Sequence, residues 1–170
     1  MSSKPESRLI NSIHKHLPES LLHHEKMHNI YRAGTFDCWY SGDCGDMWIE
    51  YKWIPKMPKR GKVIPKLSTL QYIWGVERQA EGRKVLVAVG CPDGIVKYPD
   101  PFFWKYGYPV EVFRTLLVSR MGMAEFIRDK CGTKPEIKQD SSGDSQRIQD
   151  SGSRIFNLPA SFLETQTKGN

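Results

Sequence analysis

The chain predicts an α/β fold, a small mixed β-sheet flanked by helices, and three stretches carry that expectation. Residues 33–53, AGTFDCWYSGDCGDMWIEYKW, hold two apolar, β-prone runs on either side of a turn made of Ser, Gly and Asp. Residues 83–91, RKVLVAVGC, form a continuous apolar run bounded by turn residues, as a buried strand does. Helical periodicity comes before the first of these stretches and again between the two. Helices and strands in that order pack as helices against a sheet.

In chain order, residues 5–17, PESRLINSIHKHL, place Leu9, Ile10, Ile13 and Leu17 at helical spacing, and Pro5 suits a first helical turn. Pro18 ends that helix or opens the next segment. Residues 19–32, ESLLHHEKMHNIYR, read as a helical start that passes into extended chain near Tyr31. Two strands are expected next, at 33–40 and 47–54, joined by SGDCGD as an antiparallel hairpin. Residues 55–66, PKMPKRGKVIPK, carry three prolines and five basic residues, so they read as a basic loop and not as a regular element. In 67–82, Ser68 is a candidate N-cap, Leu70, Ile73, Trp74 and Val76 the apolar face of a helix, and Gly82 its end. After the buried strand, 92–110 is rich in Pro, Gly and aromatic residues, with a short strand expected at 95–98. Residues 111–132 read as one or two helices.

This organisation predicts one domain over 1–133, a flexible polar linker over 134–153 and a C-terminal tail over 154–170 whose apolar RIFNLPASFLE patch suits docking back onto the domain. No apolar run approaches the roughly 20 residues of a membrane span. The start, MSSKPESRL, lacks the hydrophobic core of a secretory signal. The expectation is a soluble, intracellular protein: cytoplasmic, or in the host cytoplasm were it phage-encoded. Cys38, Cys44, Cys91 and Cys131 form no CxxC pair and are expected as free thiols. The net charge of +6 favours a polyanionic partner such as nucleic acid.

Charge inside the hairpin is the feature that needs an explanation. Asp37 lies in the first run, Glu50 and Lys52 in the second. Alternation along a strand puts Glu50 and Lys52 on one face, with Ile49 and Tyr51 on the other. A register that sets Asp37 beside them would gather two carboxylates and an ammonium in one patch, where the carboxylates repel and one holds its proton more tightly. A divalent cation relieves that repulsion, and hard oxygen ligands suit Mg²⁺, which keeps several of its waters. Lys52 would then orient a water or stabilise charge on a phosphorane-like transition state.

These residues resemble the PD-(D/E)xK nuclease signature: Phe36-Asp37, a turn, then Ile49-Glu50-Tyr51-Lys52 on the next strand. With Gly34, Leu67-Ser68, Gln71 and GRKVLVAVG added, the pattern over residues 6–90 is similar to the VRR-NUC branch of that superfamily. The resemblance implies a restriction-endonuclease-like core. It implies Asp37, Glu50 and the Tyr51 carbonyl as ligands of Mg²⁺, with Mn²⁺ as a substitute, and Lys52 as the catalytic lysine. Glu6 and Gln71 would be auxiliary catalytic residues. Phe36 stands where the family usually has proline, and the basic loop is longer than the branch leads one to expect.

The function expected is a Mg²⁺-dependent DNA endonuclease that hydrolyses phosphodiester bonds, of junction-resolving, repair or homing type. One active site cuts one strand at a time, so double-strand cleavage would call for a homodimer or higher oligomer. Lys56, Lys59, Arg60, Lys62 and Lys66 are the candidate nucleic-acid contacts. The alternatives are a catalytically inactive nucleic-acid-binding module on the same fold, or an interaction protein whose hairpin charges form only a surface salt bridge. Trp53 is expected in the core rather than as a stacking residue, and FFWKYGY at 102–108 in the core or a dimer interface. His24 and His28 at i, i+4 lack a third zinc ligand.

Overall fold

In the computed structural model, which describes residues 4–17, 22–27 and 34–132, the chain builds the mixed sheet flanked by helices that its sequence predicts. The linker expected at 134–153 and the tail expected at 154–170 fall outside the described residues. Helix α1 (Pro5–His14) has Pro5 in its first turn and buries Leu9, Ile10 and Ile13. That is the apolar stripe its periodicity shows.

Strand β1 (His23–Lys26) corrects the helical start expected in 19–32. It pairs antiparallel with β2 (Cys38–Gly42), from His23↔Ser41 to Lys26↔Cys38. A neighbouring strand satisfies the backbone of these four polar residues, and local periodicity carries no record of such a partner. His23, Glu25 and Lys26 are exposed, as suits a short charged edge strand. His24 therefore sits on a strand, which removes the helical i, i+4 spacing to His28; His28 lies outside the described residues.

Strand β2 continues into β3 (Gly45–Trp53) through a tight turn. The register runs to Gly42↔Gly45, so only Asp43 and Cys44 form the turn and the strands extend into SGDCGD. Gly45, at φ 105°, takes the left-handed conformation at the turn exit that a side chain would resist. The first strand also begins later than expected, which leaves Asp37 just before it.

The basic segment is irregular except for β4 (Lys62–Val63). Helix α2 (Thr69–Ala80) crosses from β3 to β5 (Lys84–Cys91), which lies parallel to β3, and β6 (Gly94–Tyr98) returns antiparallel. The sheet order is β1-β2-β3-β5-β6. Helix α3 (Pro101–Tyr106) and β7 (Tyr108–Pro109), neither expected from sequence, follow; β7 pairs with β4 and pins the basic segment. Residues 111–132 resolve into α4 (Val110–Thr115) and α5 (Arg120–Cys131). The break falls where Val118 exchanges two 2.9 Å backbone hydrogen bonds with Ile95 and Ser119 caps α5.

Side chains alternate cleanly across the sheet. Cys38, Tyr40, Met47, Ile49, Tyr51, Leu86 and Ala88 pack with residues of α1 and α5. Val85, Val87, Val89, Val96 and Tyr98 pack with Phe36, Trp104 and Phe113 on the other side. Each aliphatic side chain buried this way contributes about 1.5–3 kcal/mol. Trp53 packs half-buried against the first of these cores, as expected.

The apolar face read for α2 is only half right. Trp74 and Val76 pack inward, whereas Leu70 is 52% and Ile73 46% exposed. The buried residue is Gly75, where a Cβ would lie 2.7 Å from both Phe36 Cζ and Trp104 Cζ3, so the helix approaches more closely than any side chain there would permit. In FFWKYGY, Trp104 and Tyr108 are core, and Phe102 and Tyr106 are exposed. All four cysteines are free thiols. Among the described residues, no helix is long and apolar enough to cross a membrane.

Candidate metal and catalytic site

The β2–β3 register, which pairs Cys38 with Ile49, sets Asp37 opposite Glu50. The two residues clasp each other's strand. The backbone N–H of Asp37 donates to Glu50 Oε2 at 3.1 Å, and that of Tyr51 donates to Asp37 Oδ2 at 3.2 Å. Backbone donors favour the charged form of a carboxylate. Glu50 is nevertheless only 1% exposed, on the face of the sheet that α2 covers.

Lys52, two residues on and on the same face, places Nζ 2.7 Å from Glu50 Oε1. Gln71 joins the pair: its Nε2 donates to Glu50 Oε1 at 2.6 Å and its Oε1 accepts from Lys52 Nζ at 3.2 Å. The start of α2 holds Gln71 in place. Ser68 Oγ accepts from the Gln71 N–H at 3.2 Å while Gln71 Oε1 accepts from the Ser68 N–H at 3.0 Å, a reciprocal capping box. The Ser-x-x-Gln spacing thus serves the helix start and the carboxylate–lysine pair with one side chain.

Burial raises the Glu50 pKa from 4.5 to about 7, and the neighbouring Asp37 adds to the rise against Lys52 and the Asp37 N–H. Burial likewise raises Asp37, opposed by the Tyr51 N–H, Lys52 and Lys26, with Glu6 pushing upward. Helix α1 therefore brings Glu6 within electrostatic reach of Asp37.

Lys26 is the member of the site that sequence reading missed. Its Nζ donates to Ser7 Oγ at 2.7 Å and its charge acts on Asp37. Only the pairing Lys26↔Cys38 brings it there, and a segment read as helical hides that pairing. Behind the site, Tyr51 OH meets Tyr40 OH at 2.9 Å, and Tyr40 OH meets His14 Nε2 at 2.9 Å. Burial, then His24 and Lys26, lowers His14 to about 4, so the imidazole in this chain is neutral at pH 7. The chain of polar groups ties α1 to the strand that carries Glu50 and Lys52.

The donor set fits a hard divalent cation. Two adjoining carboxylates are both driven toward protonation, and Asp37 Oδ2 and Glu50 Oε2 retain acceptor capacity beyond the backbone N–H each receives. Among the described residues no group of three or more His, Cys, Asp or Glu side chains converges. A cation held by Asp37 and Glu50 would thus complete its shell with a backbone carbonyl, for which Tyr51 is the candidate, and with water, as Mg²⁺ readily does.

The five basic residues do not join this cluster. Lys56, Lys59, Arg60, Lys62 and Lys66 are all exposed, and among the described residues none forms an ion pair with a carboxylate. A separate open cavity of about 230 Å³, lined by Cys44, Asp46, Trp48, Arg83 and Lys84 among others, lies at the turn end of β3 and includes none of the site residues.

No family model and no curated protein sequence matches the chain. Among solved structures, the chain is similar to that of Archaeoglobus fulgidus Hjc, a Holliday junction resolvase from an archaeal hyperthermophile, with 13% identity and a TM-score of 0.47 over 72% of this chain and 97% of that one.

Proposed function

We propose that the chain is a Mg²⁺-dependent endonuclease that hydrolyses phosphodiester bonds in DNA. The observation that carries this reading is the convergence of Asp37, buried Glu50 and Lys52, with Gln71 bridging the last two. Burial of a carboxylate pair is costly without a cation. A plain surface salt bridge would leave Glu50 in solvent, and Glu50 is buried.

In this reading Asp37 and Glu50 hold the cation, with the Tyr51 carbonyl as a third ligand. The bound cation supplies Lewis-acid stabilisation of charge on the phosphate and acidifies a water in its shell. Lys52 Nζ, aimed by Gln71 Oε1, donates to the phosphate oxygen on which charge builds or to the attacking water. Gln71 fixes the Lys52 rotamer, and Glu6 and Lys26 tune the field at Asp37. The exposed basic segment contacts backbone phosphates on the approach to α2. Cutting both strands at one locus takes two such sites, hence a symmetric dimer.

The test is a cleavage panel of branched, nicked and linear DNAs with Mg²⁺ or EDTA, run on wild type and Lys52→Ala. Wild type is expected to cut only with the metal. Lys52→Ala should lose about 10²–10³-fold or more in rate, the scale of losing one transition-state donor, and still shift DNA in a gel. Wild-type turnover by the variant would refute the assignment.

A further inference from the structure

We propose that the exposed rings of Phe102 and Tyr106 form a stacking platform for an unpaired base of the bound nucleic acid, an inference that rests on the nuclease reading above. Helix α3 has two unlike sides. Trp104 is buried, with Nε1 donating to the Tyr98 carbonyl at 2.6 Å. Phe102 and Tyr106, one helical turn apart, are 49% and 44% exposed and lie side by side with ring centroids 4.8 Å apart and planes inclined at 45°. Large aromatic rings left together in solvent mark an interaction surface.

The platform is rigidly mounted. Phe102 meets Phe103 edge-on at 5.2 Å, and Phe103 stacks at 4.4 Å on Tyr108, a core residue. A third apolar group, Ile64, is 49% exposed beside it, and a Cβ at Gly107 would lie 2.7 Å from Ile64 Cγ1. Ile64 precedes Ser68 by four residues, a backbone span of at most about 14 Å. Ser68 in turn caps the helix that presents Gln71 to Glu50 and Lys52, so one short stretch of chain links Ile64 to the proposed catalytic site.

Charge identifies the occupant. Lys105 Nζ sits 5.4 Å from the centroid of the Tyr106 ring. Lys62 and Lys66 flank Ile64 in sequence, and the pairing of β4 with β7, with Val110 N–H donating to the Gly61 carbonyl at 3.0 Å, holds the basic segment against the end of α3. Asp100, at the start of α3, is occupied in capping it through a 2.7 Å hydrogen bond from the Phe102 N–H. A second copy of this chain would bring a like excess of cations to the surface. A nucleotide brings a π-face and a phosphate, which match the rings and the lysines together. Bases inside a duplex already have both faces stacked, so the platform takes an unpaired one.

The experiment compares wild type with Phe102→Ala/Tyr106→Ala, for binding in EDTA and for cleavage in Mg²⁺, on two DNAs of equal length, one fully paired and one forked with unpaired arms carrying 2-aminopurine. Loss of two stacking rings should weaken fork binding by at least about tenfold, leave duplex binding within about twofold, and abolish the 2-aminopurine quenching that wild type produces. Phe102→Tyr/Tyr106→Phe should restore both the fork binding and the quenching. Equal loss on both DNAs, or no loss on the fork, overturns the platform, as does a wild-type dimer that the alanine variant converts to monomer without changing fork preference. Wild type that binds and cuts DNA while the variant keeps fork affinity defeats the platform alone. Wild type that binds neither DNA defeats the nuclease reading and the platform together.

Discussion

Replacing Glu50 with Gln tests the electrostatics of the site without relying on catalysis. In metal-free protein, native Glu50 keeps its proton to about pH 7, whereas the unfolded chain releases it near 4.5. Between those values the native state binds more protons, so stability falls as pH rises and the full cost is present above pH 7. At about 1.4 kcal/mol for each tenfold change, that cost is about 3 kcal/mol. His14 works in the opposite sense: its native pKa near 4 lies below the usual 6.5, so stability falls as pH drops through that range. The two contributions oppose each other between pH 4.5 and 6.5, and a wild-type curve alone would not isolate Glu50. The informative quantity is the difference between Glu50→Gln and wild type, in which His14 drops out. Gln keeps the shape and an acceptor for Lys52 but cannot ionise. Denaturant unfolding in EDTA from pH 4 to 8 should show the variant gaining about 3 kcal/mol on wild type across the series, roughly 10 °C in Tm for a unit of this size. Parallel curves would refute the burial-and-repulsion account of Glu50.

Asp37→Asn should raise the metal-free Tm above wild type, because the amide relieves repulsion, and should lose most of the Tm increase that Mg²⁺ or Mn²⁺ gives wild type in a thermal shift series. Ca²⁺ should support DNA binding by wild type without efficient cleavage, its looser coordination positioning water less well. Neutralising Lys59, Arg60 and Lys62 together should weaken binding to all DNA sequences and reduce the slope of log K against log salt by up to about 3; an unchanged slope would place the segment away from the substrate. Ser68→Ala and Gln71→Ala should each cost about 1 kcal/mol of stability through the lost cap, but only Gln71→Ala should lower kcat, since it alone frees Lys52; equal kcat in the two variants would confine Gln71 to capping.

The sequence by itself determined the parts that local physics controls. A period of 3.6 marks α1, the apolar run marks β5, and the Ser-Gly-Asp turn marks the hairpin, because each pattern is satisfied within a few residues. Strand alternation likewise puts Glu50 and Lys52 on one face whatever surrounds them. Only the tertiary structure decided what meets them. Asp37 reaches Glu50 through a register that a two-residue turn sets, and one residue of slip would carry it to the other face. β1 is a strand because β2 offers its edge, and that partner alone brings Lys26 toward Asp37. The apolar residues of α2 could not be sorted from periodicity, since a glycine takes the buried position and Leu70 and Ile73 turn outward. FFWKYGY likewise reads as a single aromatic block. The packing of α3 alone sends Trp104 into the core and leaves Phe102 and Tyr106 in solvent, because which side of a short helix is buried depends on contacts made by distant segments of the chain.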